Sequence, residues 1–243
     1  MLFVLPVFAQ EWDDEDFDSD DDLDIEDYSE YGDDDEVKEG VNERVRGFDV
    51  AGVMLGMTEA DVKAAMKSRK YALADTETSI PEHFRYNYDA ECRSRNVLVA
   101  DALAGCIEGL AKKAKTQYTS RQTYKRPDTK EEMSVHFTSP FSESRVWKAD
   151  YRNDVNRREG TAKNFQYQRE ERQRAFWYFV LQKYGEPNVG AGKWVLNADE
   201  EYSPRLVADF GRLVLESQQQ YLTDQRIGQE EGRKAFKFGE YTF

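Results

Sequence analysis

The sequence predicts an α+β fold: helices packed on one face of an antiparallel sheet, laid out as two similar helix-then-meander halves. Three observations predict it. Residues 48–58 read as a short apolar strand, a glycine turn and a helix start. Runs at 133–138, 145–153 and 206–215 alternate apolar and polar residues, the period of a half-buried strand. Residues 165–184 carry an apolar stripe at helical spacing that stops at Gly185 and Pro187.

Charge alone divides the chain in two. Between Glu11 and Glu39 there are 18 Asp and Glu and one Lys, a net of −17, whereas the whole chain is −14. The remainder holds 33 basic against 30 acidic residues, so a nearly neutral body carries an acidic arm. The expected divisions are a signal-peptide remnant at 1–9, the arm at 10–46, a first half at 47–155 and a second at 156–243.

Met1 to Ala9 resembles the back of a secretory h-region, with Val7 and Ala9 at the −3 and −1 positions of a cleavage site. It is short and has no basic n-region; the bland alternative is an apolar N-terminus. No later run approaches the ~20 apolar residues that a membrane span needs.

In the arm, carboxylate runs alternate with single apolar residues, among them Trp12, Phe17, Tyr28 and Tyr31. Self-repulsion and scant apolar area predict disorder for the arm alone. A calcium loop starting at Asp18 or Asp20 would need Gly at its sixth position and Glu at its twelfth. Those places hold Leu23 or Ile25, and Ser29 or Tyr31, so no EF-hand is expected. The bland reading of the arm is a solvated tail. The sharper one is that Trp12, Phe17, Tyr28 and Tyr31 dock on a partner while the charge steers approach to a basic surface. A basic stretch of the body, Lys112, Lys113, Lys115, Arg121, Lys125 and Arg126, is one candidate for such a surface.

In the first half, Thr58 is placed to cap a helix, with Glu59 and Asp61 at the positive end of its dipole. Val62, Ala65 and Met66 give that helix one apolar face, and it should end near Lys70. Pro81 opens a second helix through about Arg95. A third covers 97–115, with Val99, Leu103, Cys106, Ile107 and Leu110 as its buried stripe. Cys92 and Cys106 would lie ~21 Å apart on one continuous helix, so a disulfide requires a helical hairpin between them. An oxidising compartment favours the bond; two buried thiols are the alternative. Residues 118–125, 133–138 and 145–153 then read as antiparallel strands, with His136 on the solvent side.

The second half opens with a charged linker at 157–161. The helix at 165–184 follows, its stripe formed by Phe176, Phe179, Val180 and Tyr184 and widened by Trp177 and Leu181. Short strands follow at 193–196 and on either side of Gly211-Arg212. Residues 225–238 read as a terminal helix weakened by Gly228 and Gly232.

Catalytic signatures are missing. There is no phosphate-cradling glycine loop, no Gly-x-Ser-x-Gly elbow and no His-Glu-x-x-His helix. Paired carboxylates occur in the arm, but a flexible arm does not hold the fixed separation that acid–base chemistry needs. No cofactor, metal or nucleic acid is expected, the last because the body's positive charge is small and the arm's negative charge large.

Residues 53–62, Val53-Met54-Leu55-Gly56-Met57-Thr58-Glu59-Ala60-Asp61-Val62, resemble the opening of small exported bacterial domains of the BamE-like (SmpA/OmlA) and beta-lactamase-inhibitor-protein-like type. Lys183-Tyr184-Gly185-Glu186-Pro187 is similar to the helix-ending Gly-x-Pro of those domains. The chain differs in its inserted helices at 82–115 and in having no lipid-attachment cysteine near its start. The resemblance implies helices on one face of an antiparallel sheet in an exported, non-enzymatic protein. The expected function is therefore that of an exported periplasmic or envelope adaptor that binds another protein through its open sheet face and its arm. The alternatives are a secreted enzyme of unrecognised family and a structural or cation-buffering envelope protein that works through the arm.

Overall fold

The chain folds around a sheet whose one face is apolar because alternate residues of several of its strands, such as 132–137 and 205–209, are apolar. The computed structural model describes residues 41–153 and 162–236. The expected signal remnant, the linker at 157–161 and the arm residues Trp12, Phe17, Tyr28 and Tyr31 lie outside them. The described elements are β1 (Asp49–Val50), β2 (Val53–Met54), α1 (Glu59–Ser68), β3 (Ala72–Ser79), α2 (Glu82–Ser94), α3 (Ala100–Ala114), β4 (Tyr118–Lys125), β5 (Glu132–Phe137), β6 (Val146–Arg152), α4 (Ala162–Tyr184), β7 (Lys193–Val195), β8 (Arg205–Asp209), β9 (Arg212–Glu216) and α5 (Gln218–Ala235).

Seven strands form one antiparallel sheet in the order β3-β4-β5-β6-β9-β8-β7; β1 and β2 form a separate hairpin. The two meanders thus join edge to edge, where Ala149 pairs with Leu215 and Tyr151 with Leu213. Across the sheet, Gln122, Val135, Ala149, Leu215, Leu206 and Trp194 fall in one register row. That row is buried beneath α1, through Val62 and Met66, and α4, through Val180 and Tyr184. The opposite face is polar. There Glu216 pairs with Arg205 at 2.6 Å and Lys148 at 3.3 Å, and Asp150 takes Arg212 at 2.6 Å and Arg152 at 3.4 Å.

The stretch at 48–58 is a hairpin rather than one strand. Ala51 and Gly52 both have positive φ (49° and 80°), the conformation that a tight two-residue turn between twisted strands demands. The Gly52 N–H donates to Asp49 at 2.7 Å and holds the turn. Thr58 caps α1 as its sequence position suggests, in a reciprocal box with Asp61.

Two boundaries move. The charge pattern ends the arm at 46, but Val41 bridges Asn197, the Asn42 N–H donates to the Leu196 carbonyl at 2.6 Å, and Val45 is 1% exposed. Residues 41–46 therefore belong to the body. The terminal helix starts at Gln218, capped by Ser217, rather than at 225.

The other three helices make a second cluster where β3 and β5 leave the sheet and β4 enters it. Phe84, Tyr88 and Cys92 of α2 meet Leu103, Ile107 and Ala111 of α3, with Phe141 and Phe236 packed against them. Cys92 and Cys106 are joined, with Cα atoms 6.2 Å apart, so the chain does turn between them. Val99, expected in the stripe of α3, is 70% exposed, because it is the N-cap residue and stands outside the helical spacing.

Candidate functional site

An open-sided cleft of about 860 Å³ lies between the C-terminal end of α1 and one face of α4. Its position follows from how α1 stops. Arg69 ends the helix and Lys70 takes positive φ (63°), which turns the chain so that Tyr71 drops into the core edge. The β4–β5 turn brings Glu131 beneath it: the Arg126 N–H donates to the Glu131 carbonyl at 2.9 Å, and Lys130 at φ 58° closes the loop.

Glu131 is the partly buried carboxylate of this cleft, with its side chain 17% exposed. The Tyr71 hydroxyl donates to it at 2.6 Å, and the Arg126 guanidinium lies 3.6 Å away. Tyr151 stands beside the same carboxylate in the cleft lining. Burial, with the adjacent carboxylate, pushes both phenols well above their ordinary range, so both stay protonated donors.

At the other end stands Asp49. Lys183 donates to its carboxylate at 2.9 Å and to its carbonyl at 2.8 Å, and Arg69 lies at 3.9 Å. Burial raises the Asp49 pKa, but the bonds from Lys183 and Gly52 and the charges of Lys183 and Arg69 outweigh it, and the net shift is downward. The Tyr184 hydroxyl donates to the Asp49 carbonyl at 2.7 Å, which fixes α4 against the hairpin.

The α4 wall consists of Arg172, Ala175, Phe176, Phe179, Val180 and Lys183, one helical face by spacing. Here the sequence expectation needs correction. Phe179, assigned to the core stripe, is 64% exposed, and its neighbour Tyr178 is 63% exposed. Residues 176–181 are six consecutive large apolar or aromatic groups, a wider arc than one helix can bury on one side. Phe179 and Tyr178 stack edge to face on each other at 5.6 Å, outside the core.

His136 also departs from expectation. It is half-buried rather than solvent-facing, with Trp147 at 5.7 Å, and Trp147 in turn meets Tyr221 of α5 at 4.6 Å. Burial first, then the charges of Lys148 and Arg121, push its pKa down to about 4. It is a neutral packing residue there.

The basic stretch at 112–126 does not form one free surface. Arg121 pairs with Glu77, Lys125 with Glu132 at 3.4 Å, and Arg126 with Asp128 and Glu131. Lys112, Lys113 and Lys115 stand exposed at the end of α3. Arg126 alone of the stretch lines the cleft. Cys92 and Cys106 sit in the second cluster, away from the cleft lining, where they bind α2 to α3. Sequence reasoning misses Arg69, Lys70, Tyr71, Glu131 and Tyr151, which come from separate segments and form no motif. The one signal is Lys183-Tyr184-Gly185, which by itself reads only as a helix end.

A second hollow of about 270 Å³ lies between α2 and α5 beside Asp224. The Asp224 carboxylate accepts the Ser139 N–H at 3.0 Å and its hydroxyl at 2.6 Å, which docks α5 onto the end of β5. Among the described residues no three His, Cys, Asp or Glu side chains group so as to hold a metal, and no helix is long and apolar enough to cross a membrane.

Fold and site together define an α+β protein with a seven-stranded antiparallel sheet, a cationic and aromatic cleft on its covered face, and a disulfide-bonded helical hairpin compatible with export. Compared with protein-family models, curated proteins and solved structures, the chain matches none.

Proposed function

We propose that the chain is an exported, non-enzymatic protein-binding domain of the bacterial cell envelope, an adaptor whose contact surface includes the cleft and the aromatic pair at its mouth. The exposed Tyr178–Phe179 pair carries the reading. Two large aromatics more than 60% exposed, stacked on each other beside a concavity, are the composition of a recognition surface rather than of ordinary solvent-facing helix. The state of the cleft's carboxylate agrees with binding rather than turnover: Glu131 accepts from Tyr71 and faces Arg126, and the Tyr71 and Tyr151 phenols are both held protonated. The Cys92–Cys106 bond supports an oxidising compartment, and the BamE-like resemblance supplies the envelope as the particular one.

Photo-crosslinking tests this reading. A benzophenone side chain is placed at Phe179, at the cleft mouth, or at Val207, on the open polar face of the sheet, and the exported protein is irradiated in cells. An adduct with another protein at Phe179 is expected. An adduct at Val207 alone would move the contact to the open face, and no protein adduct at either position would overturn the binding reading. Removal of the acidic arm in such experiments should stop at residue 40, because Val45 is core.

A further inference from the structure

The chemistry of the cleft wall goes further than the statement that it binds protein, and the following rests on that reading. Five cations line it, Arg69, Lys70, Arg126, Arg172 and Lys183, against the lining carboxylate of Glu131 and that of Asp49 at its end. Lys183 and Arg126 are held by Asp49 and Glu131, and Arg69 only grazes Asp49 at 3.9 Å. Lys70 has no ion-pair partner among the described residues and stands in the cleft lining. The body as a whole is almost neutral, so this concentration of positive charge is local.

Opposite Arg69, Lys70 and Arg126 runs the α4 wall, which carries Phe176 and Phe179 alongside Arg172 and Lys183. A ligand that satisfies both walls brings carboxylates on one side and apolar side chains on the other. A small molecule would leave the aromatic surface unfinished. Tyr178 lies outside the cleft, stacked on Phe179, so the apolar surface continues over the outside of α4. That continuity points to a polypeptide occupant. We infer that the cleft takes an acidic, aromatic-bearing segment of a partner protein. Its carboxylates meet Arg69 and Lys70, and an aromatic or aliphatic side chain packs on Phe179. Nucleic acid also seeks cations beside aromatics, but a near-neutral body lacks the extended basic surface that backbone binding uses.

The test is a fluorescence-anisotropy titration of the full chain against a labelled peptide of about twelve Asp and Glu residues that includes two Phe, with a thymidine oligonucleotide of similar length as competitor class. Saturable peptide binding is expected, weakening as salt rises from about 0.05 M to about 0.3 M. Phe179→Ser and Lys70→Asn should each weaken it by about tenfold. Asn tolerates the positive φ at 70, and both positions are exposed, so unchanged melting temperatures will show that the fold is intact. Lys112→Glu, at the exposed end of α3, should leave binding within about twofold of the parent. Equal weakening by all three substitutions, tighter binding of the oligonucleotide, or no saturable binding of the peptide would each overturn the inference. A protein adduct at Phe179 with no affinity for the acidic peptide would reject this ligand class and leave the adaptor reading standing.

Discussion

The cluster beneath α1 and α4 and the cluster among α2, α3 and α5 are held together by different means. Among the described residues, the first contains twenty buried apolar side chains, with Trp194, Met66, Met133, Leu206 and Leu215 all at 0% exposure. The second contains six, and two of its four larger members, Leu103 and Ile107, are still 9% exposed. Burial stabilises by about 25 cal/mol per Å², so a six-residue cluster offsets little of the entropy of ordering two helices and their turn. The chain adds a covalent link at that place, as small cores commonly do. The larger cluster has no such link and needs none. The lesson is that the disulfide marks where hydrophobic packing runs short, and it makes α2 and α3 depend on an oxidising compartment.

The largest effect should come from the larger cluster. Trp194→Ala removes a fully buried indole that donates to the Gly185 carbonyl at 3.1 Å and packs on Tyr184. A loss of about 3–5 kcal/mol in urea unfolding is expected, with the whole sheet lost in one transition. If Trp194→Ala melted only part of the molecule, the two clusters would not differ as described.

Replacing both Cys92 and Cys106 by Ser opens a 14-residue separation, for which about 3 kcal/mol is expected. That loss should be confined to α2 and α3. Far-UV circular dichroism should show a helical transition at lower urea, followed by the sheet at its original midpoint. A single shifted transition would show that the second cluster is welded to the first.

Gly232→Ala acts at the seam of the second cluster. A methyl group there would overlap the His83 ring of α2, so about 1–3 kcal/mol of destabilisation is expected. Gly105 of α3 has open space around it, and Gly105→Ala should instead stabilise by about 0.5–1 kcal/mol. Thermal melts of the pair separate close packing from helix propensity.

The smallest effect is a pH dependence. His136 is neutral in the fold down to about pH 4, whereas the unfolded imidazole takes up a proton near 6.5. The unfolded chain therefore binds the extra proton between those values, and stability should fall as pH drops through that window. Asp49, Asp150 and Glu216, whose pKa values are lowered by their cationic partners despite burial, stabilise the fold above their ordinary 3.8 to 4.5 and lose that contribution as pH falls below it. His136→Gln should flatten the melting temperature between pH 6.5 and 4 and leave the acid limb below it.

Much of this architecture is legible in the residues. Thr58 and Asp61 announce the cap of α1, and the alternation at 133–137 and 205–215 gives strands whose buried face is the one observed. The cysteine spacing requires the turn that α2 and α3 make. What stays hidden has physical reasons. β3 is an edge strand with seven of eight residues exposed, so it has no apolar alternation to read. Gly228 and Gly232 look like helix weaknesses, yet both are buried in α5, Gly228 facing Pro81 and Gly232 set against His83, where a larger residue at 232 would block the close approach. The cleft is illegible because Asp49, Arg69, Glu131, Tyr151 and Phe179 converge only after the sheet has formed. Periodicity misassigns Phe179 because it ranks every large apolar residue as core, and an exposed aromatic carries the same signature.

The most direct measurement is amide hydrogen exchange of the full chain, followed peptide by peptide with and without reductant. With Cys92 and Cys106 joined, both clusters should be protected. After reduction, α2 and α3 should lose protection while β4 to β9 and α4 retain theirs. Loss of protection throughout the sheet, or no change in α2 and α3, would contradict the account of two clusters held by different means.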